Sequence, residues 1–266
     1  MLINHPMTAF QGVAPENVFF VSNDQHVQMG YGYVVQFFQN EACPERPQRL
    51  FLYMEVQESA RCLLYGALLA RAEQLRNEAP MIPARLYTEL KPSEIDMQRF
   101  YEKMGFKKDD GEEVYRFPVV PGRAQAPMSM QYASVPLDTL EQEDNLLLRL
   151  NAYRIRPFDR DYLTLWRQQP NFMVLAFYRD GIPVCEAVFT GADGQATLID
   201  VHTLPQYRRQ GLATQLLGAA CVHLQERGVR EIYTHVFKGN PAQMGLMRKL
   251  NGQFVRTLYL LPGLNM

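Results

Sequence analysis

The chain repeats itself. RLFLYMEV is followed by ESARCLLYGALLARAEQLRNE, ARLYTEL and SEIDMQRFYEKMGF, and the same order of apolar run, long amphipathic segment, apolar run and short amphipathic segment returns in ATLIDVHTL, LATQLLGAACVHLQERG, REIYTHVF and NPAQMGLMRKLNG. Setting Leu68-Leu69 against Leu216-Leu217 and Tyr87 against Tyr233 gives offsets of 148 and 146 residues. A supersecondary unit that recurs at nearly constant spacing fixes an architecture more firmly than any single motif does. The order strand-helix-strand-helix-strand, met twice, predicts two α/β domains in tandem.

The local signals agree with that reading. Leu212, Leu216, Ala220 and Leu224 recur every four residues, which puts them on one buried face of a helix. Asn240 is placed to cap the next helix and Gly252 to end it. Each copy is preceded by a hairpin: VFFVSNDQHVQMGYGYVVQFF turns at Asn-Asp, and FMVLAFYRDGIPVCEAVF at Asp-Gly. After each second helix comes a last strand element, a hairpin through FKKDDGEEVYRFPVV in the first copy and QFVRTLYLL in the second. The second copy also opens with a strand-like AYRIRPF. Between the copies, VPGRAQAPMSMQYASVPLDTLEQED is rich in prolines, small residues and acids and reads as a boundary. The expected division is a domain over 1–120, a linker over 121–150 with a short strand and the helix LEQEDNLLLRLN, and a domain over 151–266.

Composition matters mainly for what it removes. Of 266 residues 47% are apolar, enough for substantial cores, and 27 Lys and Arg against 28 Asp and Glu leave no basic footprint for a nucleic-acid backbone. Cys43, Cys62, Cys185 and Cys221 stand far apart without metal-ligand spacing, so free thiols are expected, with no disulfide and no metal. No apolar run reaches the roughly 18 to 20 residues of a membrane helix. MLINHPMTAF has no basic stretch leading an apolar core. The expectation is a soluble, cytoplasmic protein that does not engage a membrane; its oligomeric state is not legible.

YRRQGLATQLL, residues 207–217, asks for a specific explanation. A strand ending near Thr203-Leu204-Pro205 that turns into a helix at Gly211 leaves several backbone N–H groups without intrahelical partners, converging at the positive end of the helix dipole. Such a spot binds anions. Gly211 allows close approach of a phosphate, Ala213 keeps the first turn unobstructed, and Arg208 and Arg209 add charge-assisted donors.

Arg208-Arg209-Gln210-Gly211-Leu212-Ala213 resembles the signature [QR]-x-x-G-x-[GA] of the GCN5-related N-acetyltransferases, set as in that family between a strand and a helix. The resemblance is good over about 150–260 and partial over 15–120. It implies two tandem domains of that type, each with a mixed, mostly antiparallel twisted sheet flanked by helices. It further implies that the backbone of Val201, His202 and Thr203 pairs with the pantetheine arm of acetyl-CoA, that the turn from Arg208 through Gln210, Gly211, Leu212 and Ala213 to Thr214 holds the pyrophosphate, and that Asn240 reaches the cofactor from the neighbouring strand end. In the first copy the corresponding stretch runs from Glu58 to Tyr65, with Leu63 near the place of Gly211 and Tyr65 near that of Ala213. Bulky side chains there and a shorter connection predict a first copy degenerate for CoA.

Amine acetylation by direct attack needs a base to leave the amine neutral, an N–H aimed at the thioester oxygen, and a proton donor for the thiolate. By the resemblance, the base stands five residues before the asparagine and the donor, a tyrosine, seven beyond it; here these are His235 and Met247. Histidine suits the first role by its ordinary pKa, although His235 reads equally well as a satisfied strand histidine. Methionine cannot fill the second role. His202 and Glu186 are rival bases. The first copy has Glu89 opposite His235 and Tyr101 opposite Met247, which reads as a solvated carboxylate and a packed tyrosine rather than a second site. The leading expectation is transfer of an acetyl group from acetyl-CoA to an unidentified small-molecule or peptide amine by the C-terminal domain. A non-catalytic acyl-CoA-binding or regulatory protein is the alternative, and an interaction module without a cofactor is a third.

Overall fold

The computed structural model describes residues 1–39, 45–122, 129–152 and 157–266. The chain divides into two compact units, 1–112 with 257–266, and 113–256. Most of the expected AYRIRPF strand lies outside the described residues, as does Cys43. Cys62, Cys185 and Cys221 are free thiols.

The first unit holds β1 (Leu2–Asn4), β2 (Val18–Ser22), β3 (Gln28–Phe38), β4 (Gln48–Val56), α1 (Glu58–Asn77), β5 (Ala84–Tyr87) and α2 (Ile95–Lys103). β1 to β4 pair antiparallel in sequence order, and β4 pairs parallel with β5. One face carries the core, where Leu50, Leu52 and Leu86 of the sheet meet Leu64 and Leu68 of α1 and Phe100 and Tyr101 of α2.

The second unit runs β6 (Gly111–Pro118), β7 (Gln131–Ser134), α3 (Leu140–Asn151), α4 (Arg160–Arg167), β8 (Met173–Arg179), β9 (Ile182–Thr190), β10 (Gln195–Thr203), α5 (Leu212–Glu226), β11 (Glu231–Phe237), α6 (Pro241–Lys249) and β12 (Gln253–Leu260); β13 (Gly263–Asn265) follows. Its sheet is ordered β12-β6-β11-β10-β9-β8-β7. The Asp180-Gly181 hairpin turn has both residues at positive φ, 52° and 78°, as its two-residue turn requires. Thr139 caps α3 with a full capping box, its side chain accepting from the backbone N–H of Gln142 while the Gln142 side chain returns to the Thr139 backbone. Two cores flank the sheet. Leu212, Leu216, Ala220 and Leu224 of α5 pack with Ile232, Val236 and Met247 on one face. On the other, Leu146, Leu147 and Leu150 of α3 and Leu163 of α4 pack with Val174 and Val188.

Two elements depart from the sequence reading. The stretch after Phe106 does not form a hairpin of the first copy: β6 enters the second sheet between β11 and β12. In return β13 pairs antiparallel with β5, Gly263 opposite Tyr87, and closes the first sheet, so the final ten residues group with the first unit instead of the second. Pairing is a matter of register and apolar facing. Tyr115, Phe117 and Val119, two residues apart in turn, face the second unit's core, where Phe117 is buried.

Candidate functional site

The site is built where two parallel strands part. β10 and β11 pair from Gln195 opposite Glu231 to Leu198 opposite Thr234, and the Thr234 hydroxyl donates to the Leu198 carbonyl at 3.0 Å. β10 then continues five residues further, held on its other side by β9 through Asp200 opposite Val188, Val201 opposite Ala187, His202 opposite Glu186 and Thr203 opposite Cys185. A register shift between Leu198 and Asp200 marks a bulge at the point of parting. A bulge bends its own strand and re-aims the residues beyond it, and here it opens a wedge flanked by Val201, His202 and Thr203 on one strand and His235 on the other.

Beyond Thr203 the chain forms a short 3-10 turn over Pro205–Tyr207 and reaches α5 through Gly211, the helix N-cap, at φ 81°. That left-handed conformation favours glycine. The space a Cβ would occupy at Gly211 is open, with the nearest atom, Gln215 Nε2, at 3.9 Å. Arg209 is also left-handed, at φ 65°. Arg209 and Gln210 are exposed, Ala213 and Thr214 half-buried, and Leu212 is buried as the first core residue of α5. Arg208 does more than offer charge: its Nε donates to the Thr203 carbonyl at 2.9 Å and ties the turn back to the strand end. An open, glycine-capped N-terminus on a 15-residue helix, next to a parted strand pair, fits a ligand that is extended along β10 and ends in a pyrophosphate.

Asn240 spends its side chain as the N-cap of α6, Oδ1 accepting from Ala242 N at 3.0 Å and Gln243 N at 3.2 Å. Gln243 in turn accepts from Phe237 N at 2.8 Å and fixes the end of β11. His235 is exposed on β11, one residue past the last parallel pair. Met247 is buried in the core under α5 and α6, so the place of a tyrosine donor is filled by packing.

The rival bases come together. Glu186 and His202 are cross-strand neighbours, and both line a small cleft with Arg149 and an apolar wall of Ala152, Pro183, Val184 and Leu204. Burial pushes the Glu186 carboxyl above the ordinary carboxylate range, and Arg149 opposes the shift. Tyr178 on β8, raised first by its own burial and then by the Glu186 charge, remains a protonated phenol at neutral pH. Cys185 accepts from the Thr203 hydroxyl at 3.2 Å, and burial pushes its thiol up to about 11, which removes it as a nucleophile. Sequence reasoning missed Arg149, which only the packing of α3 against β9 brings to the cleft, and Tyr178, which β8 sets opposite Pro183 of the cleft wall. Among the described residues no group of three or more His, Cys, Asp or Glu could hold a metal ion, and no helix is long and apolar enough to cross a membrane.

The first unit keeps the strand geometry and lacks the turn. β4 and β5 pair from Gln48 opposite Ala84 to Phe51 opposite Tyr87, and β4 runs on to Val56. Gln57 alone then separates β4 from α1, against the eight residues from Leu204 to Gly211 in the second unit. Filling by bulky side chains is not the reason, since Leu63 is exposed and Tyr65 packs into the core. The phosphate turn is missing because the loop that would form it is missing. Tyr101 is 1% exposed, packed edge-on against Tyr65 and Phe100.

Residues 139–252, within the second unit, match the acetyltransferase (GNAT) family model. No curated protein matches the chain. Among solved structures, a GCN5-related N-acetyltransferase from Sphaerobacter thermophilus is 16% identical with a TM-score of 0.50, over 96% of this chain and 82% of that one. A conserved protein of unknown function from Enterococcus faecalis V583, titled a probable N-acyltransferase, is 12% identical with a TM-score of 0.55 over 92% of this chain and 61% of that one, so this chain spans less than two thirds of its length. At these identities the likeness is one of fold. The architecture is that of two tandem GNAT-like domains, each a mixed sheet flanked by helices.

Proposed function

We propose that the second unit transfers an acetyl group from acetyl-CoA to an amine by direct attack, with Glu186 as the base. The observation that carries this reading is the pairing of a parted β10–β11 edge with a buried carboxylate one strand away, in a cleft shared with His202. Acetyl-CoA would supply the activated thioester. Val201, His202 and Thr203 would hold its arm along β10, and the turn from Arg208 to Thr214, with Gln210, Gly211, Leu212 and Ala213, its pyrophosphate.

Glu186 takes a proton from the incoming ammonium, and burial, by raising its pKa, makes it a better proton acceptor than an exposed carboxylate. The amine nitrogen then bonds the acetyl carbon as the C–S bond breaks; the nitrogen gives up its second proton and the thiolate takes one, so that neutral amide and free thiol leave. Tyr178, paired opposite Pro183 of the cleft wall and within reach of the Glu186 charge, is the donor proposed in place of Met247. His202, opposite Glu186, is suited to pass the proton onward to solvent. His235 stands on the other strand, exposed, and is proposed to flank the arm rather than to accept the proton. A protein that only binds acyl-CoA would not require a buried carboxylate facing the open end of β10.

The test is acetyl-CoA-dependent release of free thiol across a panel of amino acids, amino-acid amides, polyamines, aminoglycosides and peptide N-termini. With an accepted amine, E186Q should lower kcat by about 10²-fold or more, the range of general-base catalysis, with acetyl-CoA affinity unchanged and H235A within a few-fold of the parent. The converse pattern, H235A inactive and E186Q active, returns the base to β11. Binding of acetyl-CoA without turnover on any amine would favour the binding-protein alternative.

A further inference from the structure

Arg149 stands in the last turn of α3, outside the signature segment, and reaches across to the sheet. Its Nη2 donates to Glu186 Oε2 at 2.8 Å and its Nε to Oε1 at 3.3 Å, a two-pronged ion pair. The partners are unequally buried: the Glu186 side chain is 7% exposed, that of Arg149 32%. Both line the cleft, whose wall among the described residues is otherwise apolar except for His202.

Charge counting in that cleft restricts what it can accept. A simple ammonium entering beside the neutral Arg149–Glu186 pair raises the net charge by one. When Glu186 takes the proton the excess stays, because the amine becomes neutral while Arg149 loses its counter-ion. An uncompensated charge against apolar walls is costly in both states. An acceptor that brings its own carboxylate cancels the excess throughout, and can move onto the guanidinium as Glu186 is neutralised. Arginine presents a planar fork of donors suited to a carboxylate. Because the two protein charges are in direct contact, the acceptor's ammonium and carboxylate must also be close, on the same or on adjacent carbons.

We propose that Arg149 binds the carboxylate of the acceptor and that the acceptor is a small free amino acid, with the amine delivered to Glu186. The assignment rests on the reading of Glu186 as the base. It disfavours polyamines, aminoglycosides and peptide N-termini, in which no carboxylate adjoins the amine. Glycine, alanine, valine and leucine against their carboxamides are the probes, with thiol release from acetyl-CoA as the readout on the full chain. The free acids should have kcat/KM about ten- to a hundredfold above the amides, the worth of one charge-assisted contact. R149Q should abolish that preference by raising KM for the acids, with acetyl-CoA affinity unchanged. R149K, which keeps the charge and loses the fork, should retain part of the preference, and decides the matter if R149Q does not fold. Turnover of the carboxamides or of polyamines as fast as the free acids overturns this inference and leaves acetyl transfer standing. Absence of turnover with every amine overturns both.

Discussion

Removal of Arg149 should destabilise the protein in a pH-dependent way, and its size follows from the unequal burial of the pair. Breaking a fully buried ion pair from one side costs roughly 3–5 kcal/mol, because the surviving charge has no counter-ion. Arg149 is a third exposed, so water already screens part of the interaction, and R149A should cost about 2 kcal/mol at pH 8. E186A leaves the survivor at the cleft mouth, where it can be hydrated, and should cost under about 1 kcal/mol. The sign of the pH dependence follows from the carboxylate. Burial already holds Glu186 above its ordinary value, with Arg149 working against it. With Arg149 removed, the folded-state pKa rises further, so the folded chain keeps a proton that the unfolded chain has released. Stability then falls as pH rises from the ordinary carboxylate range through the raised value, and levels above it. The R149A deficit should be small near pH 5 and largest at pH 8. Urea unfolding followed by the fluorescence of Trp166, the chain's single tryptophan, reports on this unit directly, because Trp166 packs on the core beneath α3 and α4. Equal deficits at pH 5 and pH 8, or E186A costing as much as R149A, would refute the reasoning.

Two further outcomes concern the turn. Gly211→Ala meets no neighbour closer than 3.9 Å, so its cost should be backbone strain alone, about 1 kcal/mol, with acetyl-CoA affinity reduced several-fold by calorimetry; unchanged affinity would mean that the turn does not cradle the ligand. The two arginines should separate: R209G relieves a left-handed residue and should weaken acetyl-CoA while sparing a phosphate-free pantetheine fragment, whereas R208A, by releasing the Thr203 carbonyl, should weaken both.

What the sequence determined by itself is local. The α5 stripe, the Asn240 cap, the Asp180-Gly181 turn and Gly211 between strand and helix all follow from spacings of four residues or fewer, where helix periodicity, capping and positive φ act on neighbouring residues. The repeat extended those signals into a tandem fold without any knowledge of contacts. Tertiary structure alone decided which sheet each terminal strand would join, because apolar residues in strands as short as β6 and β13 state that a side chain is buried but not against which partner. It also decided the cleft. Arg149 and Glu186 are 37 residues apart, on a helix and a strand with no shared periodicity, and they meet because the leucines of α3 seat that helix on the face of β9 that carries Val188 and Glu186. His202 joins them through antiparallel register, which places it opposite Glu186. A histidine five residues before Asn240 could be found by counting; a carboxylate, an arginine and a histidine on three different elements could be brought to one cleft only by packing.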